Sequence, residues 1–493
     1  MNVAELNTKI TYGYLWILLS KWLSRSVGLI TTLCLVRVLS PEDFGIVALC
    51  SIILNFFVLL SDAGTYKYLI QVQKLTDTIL NSAWSLNITL KFVCCTTLAL
   101  LSYPISHFMH NPELFTILVI FCLIPIINSF RNIGMVLYEK ALDFRPLTSL
   151  SVIVKIIVLP ITLSIAFYAR SYWALVWGLL ISEVLTLIGS YLLHPFRPRW
   201  SNAGWRCQWY FSKWHLLSVT TGYIRSRIDA ILLGQALSNE AVGLYRIGQE
   251  FAWLPFTELI APATNAIYAG FSQIKDNSIA FNITIINYLS LTYMLVIPSA
   301  MAIFFHNGLF TELLLGDKWA KAAPVIGWLS LLMLSMPLNI CLQSALTALG
   351  KIKYLAIIDL IMISAIVAVI IALSLFQDVT LIKYIEYRVL LVAMFMLLLG
   401  FLYYHCLGIG ALQLLWTLLF PAIPAYIMIM ATTRLANAIS LSVPLEALVI
   451  FILGSMVYFF SLLVEITLTK NKFAENGFIM GALRKIQFTA QNE

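Results

Sequence analysis

Charged side chains inside long apolar runs are the residues of this chain best placed to do chemistry. Lys21 and Arg25 stand one helical turn apart within the run from Thr11 to Val38, on a stripe shared with Gly28 and Thr32. Ser218, Gly222, Arg225 and Asp229 form a second stripe, with Arg227 off to one side, and Arg246, Glu250, Trp253 and Thr257 form a third. Lys91, Arg131 and Lys155 each add one positive charge to other apolar runs, and Glu183, Glu258 and Asp359 each add a carboxylate. A charge at the centre of a membrane helix costs about 2.5–3.5 kcal/mol on insertion scales, so it has to face protein, a partner or water. Arginine offers paired hydrogen bonds to phosphate and lysine a point charge. A cavity lined by Lys21, Arg25, Arg225, Arg246, Lys91, Arg131 and Lys155 would therefore suit a pyrophosphate and acidic sugars. The carboxylates Asp229, Glu250, Glu258, Glu183 and Asp359 are candidates to carry a coupling proton or sodium ion, alternately protonated and ion-paired.

Each assignment has a structural alternative. Arg225 with Asp229, and Arg246 with Glu250, are four residues apart and can neutralise each other, so for them both readings stay open. Lys91, Lys155 and Arg131 can snorkel or meet carboxylates such as Glu183, and for these a structural role is favoured. Lys21 and Arg25 have no carboxylate in their own helix, which favours lining a cavity. Enzymatic chemistry finds little support. No GxxxxGK[ST] loop occurs, so direct ATP hydrolysis is not expected. The six histidines lie mostly at helix ends without HExxH spacing. Most of the eight cysteines fall inside apolar runs without CxxC pairs, as inert buried thiols would. No metal or other cofactor is expected.

The elements that position these charges follow from composition. The 493 residues are 61% hydrophobic and 11% charged, with a mean hydropathy of +0.90. A soluble chain carries about 25% charged residues, so lipid has to cover most of this one. The net charge of +8 then reports membrane orientation rather than a nucleic-acid partner. No cleavable leader is expected, because the first apolar run is too long and lacks a small-residue cleavage site. With about 20 apolar residues per span, the sequence predicts an all-α integral membrane fold of about fourteen helices. They fall near 11–38, 42–61, 79–103, 114–138, 147–169, 172–193, 213–236, 241–270, 279–305, 322–349, 352–376, 380–404, 411–435 and 444–468. Alternate connectors hold sixteen and six Lys and Arg residues, which places both termini in the cytoplasm.

An internal repeat sets the domain plan. Leu35–Ile46 aligns with Leu233–Leu244 at an offset of 198 residues, and five of twelve positions are identical, including Ser40/Ser238, Glu42/Glu240 and Gly45/Gly243. Ser40-Pro41-Glu42-Asp43 reads as a helix start, with a serine cap, proline in the first turn and two carboxylates at the positive end of the dipole. An offset of six spans keeps both copies in the same orientation. The expectation is two parallel six-helix lobes, 1–193 and 213–404, with a site between them. A basic cytoplasmic linker at 194–212, two further helices at 405–468 and a cytoplasmic tail at 469–493 complete the plan. Prolines at 125, 160, 255, 298 and 337 are read mainly as ordinary membrane-helix kinks.

Several segments, in order, match a known family: LSPEDFG at 39–45, DAG at 62–64, LIQ at 69–71, LDFRPL at 142–147, YWALV at 172–176, LLGQALSNEAVGLY at 232–245 and LLGDKWAKAAP at 314–324. The chain resembles the Wzx-type polysaccharide and O-antigen flippases, the colanic-acid-exporter-like branch of the multidrug/oligosaccharidyl-lipid/polysaccharide exporter superfamily. That resemblance implies a V-shaped pair of six-helix lobes, a bacterial inner-membrane location and an undecaprenyl-pyrophosphate-linked oligosaccharide as cargo. It favours a cation gradient as the energy source, and polysaccharide polymerase machinery and membrane lipid as further partners. It carries no invariant ligand motif, so the site residues rest on placement alone. The nearest rival is a drug/cation antiporter of the same superfamily, which would be expected to show an acidic, aromatic cavity. A membrane sugar polymerase or transferase would need an acid–base constellation and a long external loop, and neither is visible.

Overall fold

The computed structural model describes residues 22–61, 69, 75–141, 143–203, 205, 223, 226–260, 264–274, 276–351, 353–375, 380–438 and 442–469. Two of the expected site residues, Lys21 and Arg225, lie outside the described residues. So do residues 206–222, within the expected linker and seventh helix, and the chain beyond 469. Packing divides the protein into two units, Met1–Arg246 and Ile247–Glu493.

The first unit holds α1 (22–38), α2 (Pro41–Ser61), α3 (Asp77–Phe108), α4 (Glu113–Phe121), α5 (Leu123–Ser129), α6 (Val136–Lys140), α7 (Arg145–Ala169), α8 (Trp173–Leu193) and α9 (226–236). Helix α10 (Asn239–Ala252) starts in this unit and runs into the second. There a π-helical turn (Phe256–Ile260) is followed by α11 (Thr264–Ile274), α12 (Ser278–Phe305), α13 (Asn307–Leu315), α14 (Ala322–Leu332) and α15 (Met336–Ala348). Helices α16 (Lys353–Leu375), α17 (Leu381–Leu407), α18 (Ala411–Ala438) and α19 (Val443–Thr469) complete it.

Among the described residues, ten helices are long and apolar enough to cross a membrane. The count is eleven when Glu113–Ser129 and Ile133–Lys140, bent by 59°, form one span. Three of the expected fourteen remain. The runs 11–38 and 213–236 are only partly described. The run 241–270 is interrupted after Ala252, where Pro255 has no N–H to donate and a π turn follows. Large apolar side chains such as Leu397, Leu412 and Phe451 are more than 70% exposed, as a lipid-facing surface requires.

Both helix starts of the repeat are capped as their sequence dictates. Ser40 Oγ accepts from the Asp43 N–H at 3.2 Å, and Asp43 Oδ2 accepts from the Ser40 N–H at 2.9 Å, a reciprocal capping box. Ser238 Oγ accepts from the Ala241 N–H at 3.3 Å. Asp43 also reaches across to accept the Tyr172 N–H at 2.8 Å, which docks the start of α8 on the start of α2.

The two copies then meet each other within the first unit. A Cβ on Gly45 would collide with the Asn239 carbonyl, and a Cβ on Gly243 would collide with the Pro41 carbonyl. Pro41 and Asn239 are themselves repeat equivalents, so the contact is reciprocal, as it is across a two-fold interface. Asn111 Nδ2 adds a 2.8 Å hydrogen bond to Asn239 Oδ1, and the Tyr223 hydroxyl donates to the Ile52 carbonyl at 2.7 Å.

The chain leaving α8 is strapped to the bundle. Asn132, fully buried, donates from Nδ2 to the carbonyls of His194 and Phe196 at 2.9 and 2.8 Å. Asn81 and Ser85 of α3 accept the N–H groups of Arg199 and Ser201. His194 Nδ1 accepts the Phe196 N–H at 3.1 Å, and burial, then the Arg197 guanidinium, hold this imidazole below its ordinary pKa.

In the second unit α18 packs along α12, and α19 packs on α18. The Tyr458 hydroxyl donates to the Met294 carbonyl at 2.8 Å, and His306 Nε2 lies 3.0 Å from Thr432 Oγ1. The last two helices are thus part of the second unit's core.

Two outcomes follow from this packing. Gly45→Ala and Gly243→Ala should each lower the thermal unfolding midpoint of the purified protein, at a cost of about 1–3 kcal/mol for forced backbone separation. Gly400→Ala, where nothing lies within 4 Å of the added Cβ, should leave the midpoint unchanged or raise it by up to about 1 kcal/mol equivalent. Because the folded protein holds His194 below the unfolded value of 6.5, the unfolded chain binds the extra proton first. Stability from this group is intact above about 6.5 and falls as pH drops from there toward the folded value. His194→Gln should flatten that part of the pH–stability curve.

Candidate functional site

The most connected charged group lies inside the first unit, and a helix break builds it. Helix α5 stops at Ser129, and a 3-10 turn resumes at Ile133 with Asn132 as its cap, its Oδ1 accepting the Gly134 N–H at 2.9 Å. The Asn132 N–H is itself bonded to Ser190 Oγ of α8 at 3.1 Å. The Phe130 ring stacks edge-on against Trp84 and Phe92 of α3. These contacts hold the break between α3 and α8, with Arg131 inside it.

Arg131 Nη2 donates to Glu183 Oε2 of α8 at 2.6 Å. The same carboxylate oxygen accepts from Asn128 Nδ2 at 3.2 Å, and Asn128 Oδ1 accepts from Lys91 Nζ at 2.6 Å. Lys91 is only 8% exposed, whereas the Arg131 and Glu183 side chains retain 29% and 22%. Lys91 and Arg131, single charges in the sequence, therefore belong to one network with Glu183. For Arg131 the partner is the carboxylate expected of it. Asn128 is the member that charge-based reading missed. It is neutral and lies at the end of α5, three residues before Arg131, and no charge pattern in the sequence marked it.

A second cationic group joins α1 and α7. Lys155 Nζ donates to the Ser24 carbonyl at 3.1 Å, and Arg25, half-buried, lies close enough for the two cations to act on each other. The structure thus brings together two of the expected cavity residues from helices 130 residues apart in sequence.

The other candidates lie elsewhere. Asp229 is buried on α9 and Arg246 is exposed on α10, with Arg227 and Arg246 both near Tyr223. In the second unit Glu250 and Asp359 are half-buried on α10 and α16. Glu258 sits in the π turn, its Oε1 accepting from Thr257 Oγ1 at 3.4 Å. Among the described residues, no three His, Cys, Asp or Glu side chains are grouped to hold a metal ion.

Residues 34–324, more than half of the chain, match the model of a family described as polysaccharide biosynthesis proteins. The protein belongs to that family. Curated relatives of this polysaccharide biosynthesis protein include a lipopolysaccharide biosynthesis protein, WzxC, of Escherichia coli (strain K12). It is 24% identical over 330 residues, which are 65% of this chain and 66% of the relative. The succinoglycan biosynthesis transport protein ExoT of Rhizobium meliloti (strain 1021) is 23% identical over 325 residues, again 65% and 66% of the two chains. The match spans just under two thirds of the length of these relatives. In fold, the chain is similar to the lipid II flippase MurJ in an inward closed conformation, with a TM-score of 0.70 and 14% identity. That superposition covers 93% of this chain and 99% of the other. It is more distantly similar to a multidrug resistance MATE family transporter of the MOP superfamily (TM-score 0.54, 11% identity, 76% and 95% covered). The family member described here is accordingly a multi-pass membrane protein, and ExoT, the lipid II flippase and the MATE protein are named for transport rather than catalysis.

If the Arg131–Glu183 pair holds the α5–α6 break in place, Glu183→Gln should lower thermal stability by about 1–3 kcal/mol. That is less than the about 3–5 kcal/mol expected of a fully sealed pair, because both side chains keep some exposure. A double-mutant cycle with Arg131→Gln, read by thermal unfolding, should give a favourable coupling between the two sites.

Proposed function

We propose that the protein is a flippase that carries an undecaprenyl-pyrophosphate-linked oligosaccharide repeat unit from the cytoplasmic to the periplasmic face of the bacterial inner membrane. It works by alternating access between two six-helix lobes, 1–193 and 213–404, followed by two further helices, with both termini in the cytoplasm. The observation that carries this reading is the proximity of Arg25, half-buried on α1, and Lys155, exposed on α7, two cations from distant helices. An anionic ligand beside them would be attracted by both charges. In the sequence Lys21 stands four residues before Arg25 and is the further cation expected of this site. A lipid-linked pyrophosphate has the charge to bind there and the apolar tail to stay in the bilayer.

Membership of a polysaccharide biosynthesis family and the fold shared with a lipid II flippase support the reading. Energy would come from a cation gradient acting through one of the intramembrane carboxylates. Polysaccharide polymerase machinery is the expected partner, receiving the cargo on the far side. A second reading, a drug/cation antiporter, is favoured by the MATE-like fold alone. The basic character of the charged groups in the first unit argues against it.

Deleting the gene should cause undecaprenyl-linked repeat units to accumulate on the cytoplasmic face, and restoring the wild-type gene should clear them. Restoration with Lys21→Ala and Arg25→Ala together, expressed normally, should reduce export about tenfold or more, since each charge-assisted contact contributes about 1.5–3 kcal/mol. Full rescue by the double variant would discard this site. Hypersensitivity to cationic drugs without accumulation would move the protein to the antiporter reading.

A further inference from the structure

The Arg131–Glu183 pair is geometrically incomplete. An arginine and a carboxylate can form two parallel hydrogen bonds, yet here a single one is made, from Nη2 to Oε2. Arg131 Nε is buried and has no hydrogen-bond partner among the described residues. Glu183 uses the same oxygen twice, for Arg131 and for Asn128. Both side chains keep part of their surface open. The guanidinium therefore has an unused donor beside the one that Glu183 occupies, the arrangement to which two oxygens of a phosphate ester are complementary.

We propose that Arg131 is a phosphate-binding group, that Glu183 occupies it in the empty protein, and that a phosphate ester displacing the carboxylate makes Glu183 take up a proton. Charge balance in the bundle dictates the last step. With the site empty, Lys91, Arg131 and Glu183 sum to one positive charge. A pyrophosphate diester brings two negative charges, so when its oxygens replace the carboxylate on Arg131 the sum becomes one negative charge and Glu183 loses its arginine partner. An unpaired carboxylate in this setting is costly, and one proton from water restores neutrality. No bond to phosphorus forms or breaks.

The groups around Glu183 fit this exchange. From α3 comes Lys91, tied to Asn128. From the break comes Arg131, and from α5 Asn128. Helix α7, packed against α8, carries Lys155, whose ammonium donates to the Ser24 carbonyl. On α8 itself, the Tyr191 hydroxyl donates to the Phe130 carbonyl. Cys122, between α4 and α5, donates from Sγ to the carbonyl of Cys95 of α3 at 3.5 Å. Glu183 is thus the carboxylate of this network, the group that can take the proton. By linkage, the anion raises the proton affinity of Glu183, and protonation of Glu183 raises the anion affinity of Arg131 by the same factor. The proposal rests on the flippase reading for the source of the phosphate, and it supplies that reading with a coupling device.

The test uses the full-length protein in phosphatidylcholine nanodiscs and a short-chain diester of pyrophosphate, which holds its charge across the neutral range. Calorimetry in buffers of different ionisation enthalpy should show close to one proton taken up per diester bound by the wild type. Glu183→Gln should bind the diester about tenfold more tightly, within the range of measured couplings, with no proton uptake. Arg131→Gln should bind it at least about tenfold more weakly. Should Glu183→Gln fail to fold, Glu183→Asp serves instead, because a shorter carboxylate holds Arg131 less well: tighter binding than wild type with proton uptake retained is expected. Binding by the wild type without proton uptake, or equal affinity in the wild type and Glu183→Gln, overturns the proposal. So does loss of diester binding when phosphatidylglycerol replaces phosphatidylcholine, since the group would then read bulk phospholipid. If uptake is absent while sugar export in cells is intact, the exchange falls and the flippase reading stands.

Discussion

Lipid offers no hydrogen bond, so every polar group carried into an apolar helix has to be met from within the protein. Much of the polar architecture follows from this constraint. Lys155 finds a backbone carbonyl on α1, Asn132 spans two carbonyls of the strap after α8, and Tyr293 and Tyr403 donate to the Leu334 and Leu338 carbonyls. Serine and threonine hydroxyls along the spans mostly turn back onto carbonyls three or four residues earlier in their own helix, as with Ser85, Ser102 and Thr292. Groups satisfied in this way hold the bundle together. Groups satisfied incompletely, such as Arg131 with its buried Nε, are where a ligand has something to add.

Helix breaks are the second device, and they obey the same constraint. A break frees backbone groups, and at two of the breaks side chains bond to the backbone beside the turn. In the first unit Asn132 caps the turn after α5 and anchors it to α8. In the second, the 3-10 turn Met333–Ser335 and Pro337 divide the span between α14 and α15, and Tyr293 and Tyr403 bond to carbonyls beside it. Backbone that bends at membrane depth can place a side chain where a straight helix would not. Arg131 reaches Glu183 from such a bend.

The repeat shows how far a local pattern can be read. Serine caps at Ser40 and Ser238 and the glycines at 45 and 243 were legible as a recurring helix start. Capping is a matter of four consecutive residues, so the hydrogen bonds form where the pattern puts them. The reason for the glycines was not legible. Nothing within either copy demands a missing Cβ. The demand comes from the other copy, whose backbone carbonyl fills the space.

By itself the sequence determined that this is a helical membrane protein, and where most of its helices begin and end. Hydropathy and capping act over a few residues, and lipid enforces them along the whole chain. It also marked Lys91, Arg131, Lys155, Arg25 and Glu183 as charges needing partners, because the cost of an isolated charge does not depend on the fold. Only the tertiary structure decided which partners they have. Lys91 reaches Glu183 through a neutral amide, Asn128, and Arg131 reaches it across a break in its own helix. Lys155 turns to the backbone of α1 beside Arg25. These choices depend on which faces of distant helices meet, and no spacing along a single helix encodes that.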